Sequence, residues 1–358
     1  MRHFRAVLKI SIIIAFLAST TLAHSQWVTQ SSGTASGLYS VKAVSSSVAW
    51  TCGSNGTILR TTNGGASWSS VGDTSATYNC IDALDADRAF VAANDGGAAM
   101  YRTTDGGGNW TQVYFSPSGF INAIRMSDQN YGVALGDPVS GTWMVLRTTD
   151  GGANWERLTT EPNQLASEAG WVNSLAVVGP SFIAFGTSDH RIYRSTDAGA
   201  SWTYAPTVSD DSYGLWFNDE LHGVAAMGGG AYRTTDGGAT WESTNLLEPL
   251  YGAAGSGTVD FWTTRADKIY RSTDRGTTWS VSHTDASAFF WHLSFVTEGN
   301  LTYGWAVGDA GKIAHFEGVI TDVNEERLSP SGFLLHQNYP NPFNPKTKIV
   351  YKVGSRES

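Results

Sequence analysis

Trp171, Trp291, Tyr213 and Trp216 fall in the same kind of segment as Glu168, Asp210, Asp211 and His292, and His190 comes from a hairpin loop. Flat aromatic faces beside carboxylates suit a sugar, whose axial C–H groups pack on a ring while its hydroxyls reach the acids. They also suit a protein segment, since ligand pockets are mostly apolar with a few polar groups. An anionic sugar is disfavoured, because its carboxylate would be brought against these acids. The expected ligand is a neutral glycan or a protein partner. His190 and His292 are read as solvated or hydrogen-bonded side chains rather than ligands, and no metal or cofactor is expected.

A second set of acids recurs along the chain. Asp105, Asp150, Asp197, Asp236 and Asp274, with Asn63 in the same place, each sit five residues before a tryptophan: Trp110, Trp155, Trp202, Trp241, Trp279 and Trp68. The strings run from RTTNGGASW at Arg60 through RTTDGGANW at Arg147 to RSTDRGTTW at Arg271. Catalysis does not need one carboxylate six times at even spacing, whereas a repeat unit does. The acid can accept backbone N–H groups as in an Asx-turn, the second glycine suits positive φ, and the tryptophan can pack on a neighbouring unit.

A period of about 40 residues dictates the architecture that must position everything else. Upstream of each box lie two short apolar runs with a glycine-containing break, such as VAWTCGSNGTILRTT (48–62), the signature of a hairpin. Each unit therefore reads as a four-stranded blade, and the fold class is an all-β, seven-bladed β-propeller. The seventh unit, YGWAVGDAGKIAHF (303–316), stops where a box should follow. QWVTQSS (26–32) resembles the stretch after a box elsewhere, so an N-terminal strand is expected to close the ring.

These strings resemble Asp-box (BNR) repeats, found in sialidases, xyloglucanase-type hydrolases, sortilin-type receptors and photosystem II assembly and stability factor-like propellers. The full box preceded by a "GwavG..G" run is most similar to the last group. The resemblance covers about residues 26–318 and implies the fold, with function left open because fold-sharing relatives differ in chemistry. It implies for a sialidase an arginine cluster announced by Arg-Ile-Pro, and no such tripeptide occurs here. The arginines that open the boxes belong around the ring, not at one point. No zinc-protease motif, nucleophile elbow or complete phosphate loop is present; GDAGKI (308–313) lacks the first glycine and the final hydroxyl. A xyloglucanase-like pair of aspartates stays open, although those enzymes join two propellers. The function read from the sequence is a secreted or cell-surface binding or assembly module, with an extracellular glycoside hydrolase and a structural surface-layer component as the alternatives.

The approaches to the inner strands carry Tyr39, Tyr78, Phe120, Trp171, Tyr213, Tyr251 and Trp291, which either line the channel mouth or pack blade to blade. Hairpin loops add Asp137, His190, Arg265 and Asp309.

With 23 basic against 32 acidic residues, neither nucleic acid nor an anionic membrane offers attraction to the chain. Residues 1–25 join a basic start (Arg2, Arg5, Lys9) to an apolar stretch and small residues, which predicts a signal peptide rather than a membrane span. Cys52 and Cys80 either pair across adjacent blades or pack as buried thiols. After a linker at 319–332, FLLHQNYPNPFNPKTKIVYKV (333–353) resembles the opening of a type IX secretion C-terminal sorting domain. That resemblance implies export across the outer membrane of a Bacteroidetes-type bacterium, with the type IX machinery as a partner. Residues 333–358 are too few for the whole β-sandwich, so a truncated start is expected.

Overall fold

The computed structural model describes residues 26–72, 76–207 and 211–319, together with the backbone of 334–335 and 351–352. The expected signal peptide, the linker after Val319 and most of the sorting segment lie outside the described residues. Leu334–Leu335 pairs antiparallel with Tyr351–Lys352.

Seven antiparallel four-stranded sheets form the blades. Blades 1 to 6 span residues 38–70, 78–116, 121–157, 170–206, 212–243 and 253–284, each running from inner to outer strand in chain order. Blade 7 takes three strands from residues 290–319 and its outer strand from Gln26–Ser31. The second and third strands of blade 1 turn at Asn55 and Gly56, with φ of 56° and 69°, the two left-handed residues that a tight hairpin needs.

Side chains from facing sheets meet in seven apolar clusters, one at each junction between blades. Every box tryptophan joins the cluster between its own blade and the one before it. Trp110 meets Trp50 edge to face at 6.3 Å, and Trp155 meets Phe90 at 6.2 Å. Blade 7 has no box, and Trp27 of the N-terminal strand enters the corresponding cluster, 5.9 Å from Trp262.

The box is a closed hydrogen-bond circuit. At Asp150, the Thr148 hydroxyl donates to Oδ1 at 2.9 Å and accepts the Gly152 N–H at 2.9 Å. Asn154 donates its backbone N–H to Oδ1 at 3.0 Å and its side-chain amide to Oδ2 at 2.7 Å. These donors, the Asn154 amide first, pull the Asp150 carboxyl down to about 2. Asp105, Asp197, Asp236 and Asp274 hold the same circuit, and Asn63 reproduces it with its amide oxygen.

Both glycine places have positive φ, since Ala198 and Arg275, at the first place, sit at 60° and 59°. In the Asp150 box, space separates the two glycines. A β-carbon on Gly152 would lie 2.2 Å from the Phe90 ring of the preceding blade, whereas one on Gly151 would lie 3.0 Å from its nearest neighbour. The arginine ahead of the box clasps the next blade: Arg60 Nη1 donates to Ala86 O at 2.7 Å, and Arg194 Nη1 to Gly237 O at 2.9 Å.

Asp150→Ala is therefore expected to lower stability by about 1–3 kcal/mol in urea unfolding, by leaving turn amides unpaired. The box lies at the end of the blade away from the channel mouth, so ligand binding at the mouth should persist in the folded variant.

Cys52 and Cys80 are free, buried thiols rather than a disulfide. Burial pushes Cys80 up to about 12, so it stays protonated and behaves as a small apolar residue.

Candidate binding site at the channel mouth

The inner strands share a local irregularity. Their pairing slips at Leu38/Ser40, Tyr78/Cys80, Ile121/Ala123, Ser212/Gly214 and Phe290/His292. One residue is bulged out in each case, and a bulge re-aims that side chain. The bulged residues are Tyr39, Asn79, Asn122, Tyr213 and Trp291. Blade 4 has a longer slip between Gly170 and Leu175, which holds Trp171, Val172 and Asn173.

A cavity of about 450 Å³ results, lined by Tyr39, Asn79, Trp171, Val172, Asn173, Tyr213, Tyr251 and Trp291. Its aromatic wall is continuous across blades 4 to 7. Ring centroids are 4.6 Å apart for Trp171 and Tyr213, 5.6 Å for Tyr213 and Tyr251, and 5.4 Å for Tyr251 and Trp291. Phe289 packs behind, 4.3 Å from Trp291.

Two carboxylates orient the rings. Asp211 accepts Trp171 Nε1–H at 3.1 Å and Tyr213 O–H at 3.0 Å. Asp309 accepts Trp291 Nε1–H at 2.8 Å. With their polar edges held by carboxylates, the ring faces are left for a ligand.

Asn173 reaches across the ring from blade 4 to blade 1 with φ of 66°. Its Oδ1 accepts Ser40 O–H at 2.9 Å and its Nδ2 donates to Tyr39 O at 3.3 Å. Further along the inner strands Lys42 pairs with the fully buried Asp82 at 2.8 Å. Arg125 of blade 3 extends to His292 of blade 7, 3.4 Å between Nη2 and Nε2. These cross-ring contacts give the cavity a floor.

Of the residues singled out in the sequence, Trp171, Tyr213, Trp291 and Asp211 come together at the mouth. The others do not. Glu168 is 1% exposed and serves as a structural hub, accepting Tyr193 O–H at 2.5 Å, Leu165 N–H at 2.8 Å and Arg191 Nη1 at 3.1 Å. His292 is 3% exposed, and its Nδ1 accepts Val41 N–H at 3.2 Å. Trp216 turns toward blade 6, donating Nε1–H to Asn218 at 2.8 Å. His190 is exposed beside Asp189, away from the cavity lining. Asp210 lies outside the described residues. Tyr78 is core, 3% exposed, and Phe120 precedes its strand without lining the cavity.

Asn79 takes the place expected for Tyr78, and Tyr39 and Tyr251 complete the wall. Aligning the tetrads LYSV (38–41), YNCI (78–81), INAI (121–124), SYGL (212–215), LYGA (250–253) and FWHL (290–293) on their second residue finds them all. Asn122 occupies that place in blade 3 but is buried, donating to Asp137 at 2.8 Å.

Burial, then the nearby Arg125 and Lys42, holds His292 well below the ordinary imidazole range. His283 and His315 are lowered by burial as well. The unfolded chain thus binds protons below about pH 6.5 that the native ring refuses, so stability must fall on acidification through that value. The loss approaches about 1.4 kcal/mol per pH unit for each histidine fully excluded from protonation. Urea midpoints should drop between pH 7 and pH 5, and His292→Gln, which retains an acceptor for Val41, should flatten that slope.

Among the described residues no group of three or more His, Cys, Asp or Glu side chains could hold a metal ion. No helix among them is long and apolar enough to cross a membrane.

Blade count, ring closure and boxes define a seven-bladed β-propeller of repeated box-containing blades. Residues 25–140 match the family described as photosynthesis system II assembly factor YCF48. The structure of YCF48 bound to D1 peptide superposes with a TM-score of 0.64 at 19% identity, covering 84% of this chain and 99% of that one. YCF48 from Cyanidioschyzon merolae gives 0.64 at 18%, covering 81% and 98%. The GH74 xyloglucanase from Xanthomonas campestris gives 0.55 at 17%, covering 81% of this chain and 53% of that enzyme. At these identities the likeness is one of fold. No curated protein matches the chain.

Proposed function

We propose that this propeller is a protein-binding assembly module that takes an extended polypeptide segment of its partner at the channel mouth. The observation that carries the reading is the floored cavity of about 450 Å³ with four adjoining aromatic rings along one wall. Rigid aromatics of this kind supply large contact area at small entropic cost and dominate binding energy. The YCF48 structure with a D1 peptide supports it, as a protein of the same fold that binds a peptide. Against hydrolysis stands the employment of the mouth carboxylates. Asp211 and Asp309 hold ring N–H and O–H groups, and Glu168 is sealed among its donors. In this reading the N-terminal leader and the sorting-like C-terminal segment would deliver the module to the bacterial cell surface or beyond.

The test is a side-by-side array of extended peptides and neutral oligosaccharides, read by tryptophan fluorescence and product analysis. Saturable peptide binding that weakens about thirtyfold in Trp171→Ala and in Trp291→Ala is expected, the size of a hot-spot loss. Oligosaccharide binding with release of shorter products would replace the reading with a hydrolase. Undiminished peptide binding in both variants would move the site elsewhere.

A further inference from the structure

The mouth has a charge character that its shape alone does not require. Asp211 and Asp309 stand at the edges of the aromatic wall, and among the described residues no lysine or arginine forms an ion pair with either. Three bases on the same face of the ring are already neutralised, Arg191 by Glu168 and Asp189, Arg265 by Glu248 and Lys312 by Asp285, while Lys268, across the hairpin from Arg265, neither lines the cavity nor pairs with Asp211 or Asp309. The cationic side chains nearest the axis, Lys42 and Arg125, lie on the far side of the Asn173 crossing, with Lys42 paired to Asp82 and Arg125 buried.

The rings themselves favour a cation. A positive group over the face of Trp or Tyr is attracted by the ring quadrupole, more strongly where water is excluded. Here both mouth indoles and the Tyr213 hydroxyl donate to carboxylates, which pushes electron density into the rings and enriches the faces turned to the cavity. Among the described residues, Asn79 and Asn173 are the only lining residues with amide side chains, and Asn173 spends both its oxygen and its nitrogen on blade 1. An acidic group entering the cavity would meet two carboxylates and few donors. A cationic one would meet π faces backed by negative charge.

Resting on the peptide-binding reading above, we infer that the partner segment is anchored by an arginine or lysine side chain inserted into this cavity. Arginine suits it better, because a planar guanidinium can stack on an aromatic face while its edge reaches Asp211 or Asp309.

The experiment compares a nine-residue peptide carrying a central arginine with the same peptide carrying citrulline, the neutral isostere. Tetramethylammonium chloride serves as a separate small cation probe, read by tryptophan fluorescence. The arginine peptide is expected to bind at least tenfold tighter, and tetramethylammonium to compete with it. In the Asp211→Asn/Asp309→Asn double variant, which keeps the acceptors and loses the charge, the preference should shrink to about twofold with an unchanged melting temperature. Trp171→Phe, which keeps an aromatic face, should retain the preference.

Equal affinity for the two peptides, with binding still lost in Trp171→Ala, would overturn the cationic anchor and leave the peptide reading standing. A tetramethylammonium response without binding of either peptide would keep the cation site and overturn the protein partner. Silence from both probes would overturn both.

Discussion

Deleting residues 26–32 is expected to lower the melting temperature by roughly 10–20 °C, the shift that several kcal/mol produces in a chain of this size class. The strand pairs with His315 and its neighbours from Gln26 to Ser31 and supplies the outer edge of blade 7. Its Trp27 is 8% exposed and fills the place that a box tryptophan fills elsewhere. Loss of one buried tryptophan side chain alone costs about 3–5 kcal/mol. Gln30 adds a seam to the next blade, since its Nε2 donates to Gly64 O at 2.8 Å and its Oε1 accepts Trp68 and Trp305 Nε1–H, each at 3.2 Å. The deletion thus opens the ring at both the 6/7 and the 7/1 junctions. Calorimetry checks this directly, and a melting curve like that of the intact chain would contradict closure by this strand.

Asp82→Ala is expected to cost about 3–5 kcal/mol, the usual penalty for breaking a buried ion pair from one side. The carboxylate is fully buried and accepts Met126 N–H at 2.6 Å and Ala83 N–H at 3.0 Å besides pairing with Lys42. Removing it strands two amides and leaves Arg125, beyond reach of any other carboxylate pairing among the described residues, without a nearby counter-charge. Lys42 is about a quarter exposed and can turn toward water, so the lost amide bonds and Arg125 carry most of the effect. Asp82→Asn should fall between wild type and alanine in urea unfolding. An alanine variant within about 0.5 kcal/mol of wild type, the size of an ordinary surface substitution, would contradict the role assigned to this pair.

The boxes made the fold legible, because one circuit of hydroxyl, carboxylate, glycine and tryptophan recurs with little variation from Asn63 to Asp274. Ring closure was legible as well, from a missing box at one end of the pattern and a matching strand at the other. The mouth was only partly so. Trp171, Tyr213 and Trp291 stand out by size, but a bulge shifts side chains by one place, and period-two reading cannot register a bulge. Tyr78 therefore looked like a mouth residue when its neighbour Asn79 is. Glu168 looked available because its partners, Arg191 and Tyr193 on one strand and Trp143 on another, are brought to it only by folding. The crossing made by Asn173 left no sequence signal, since an asparagine with positive φ is ordinary in a turn and its target lies 133 residues away. The second box glycine was read through its φ, which is positive in every box, and at Gly152 its approach to Phe90 adds a steric constraint that sequence does not display.

The most direct test of ligand engagement at the aromatic mouth is a titration followed through the indole N–H signals of nitrogen-labelled tryptophan. Trp171 and Trp291 are predicted to shift together and saturably as a peptide binds, because a ligand on their faces alters the bonds to Asp211 and Asp309. Trp155 and Trp241, at the boxes, should stay in place. Saturable peptide binding with the Trp171 and Trp291 signals unmoved would contradict the account.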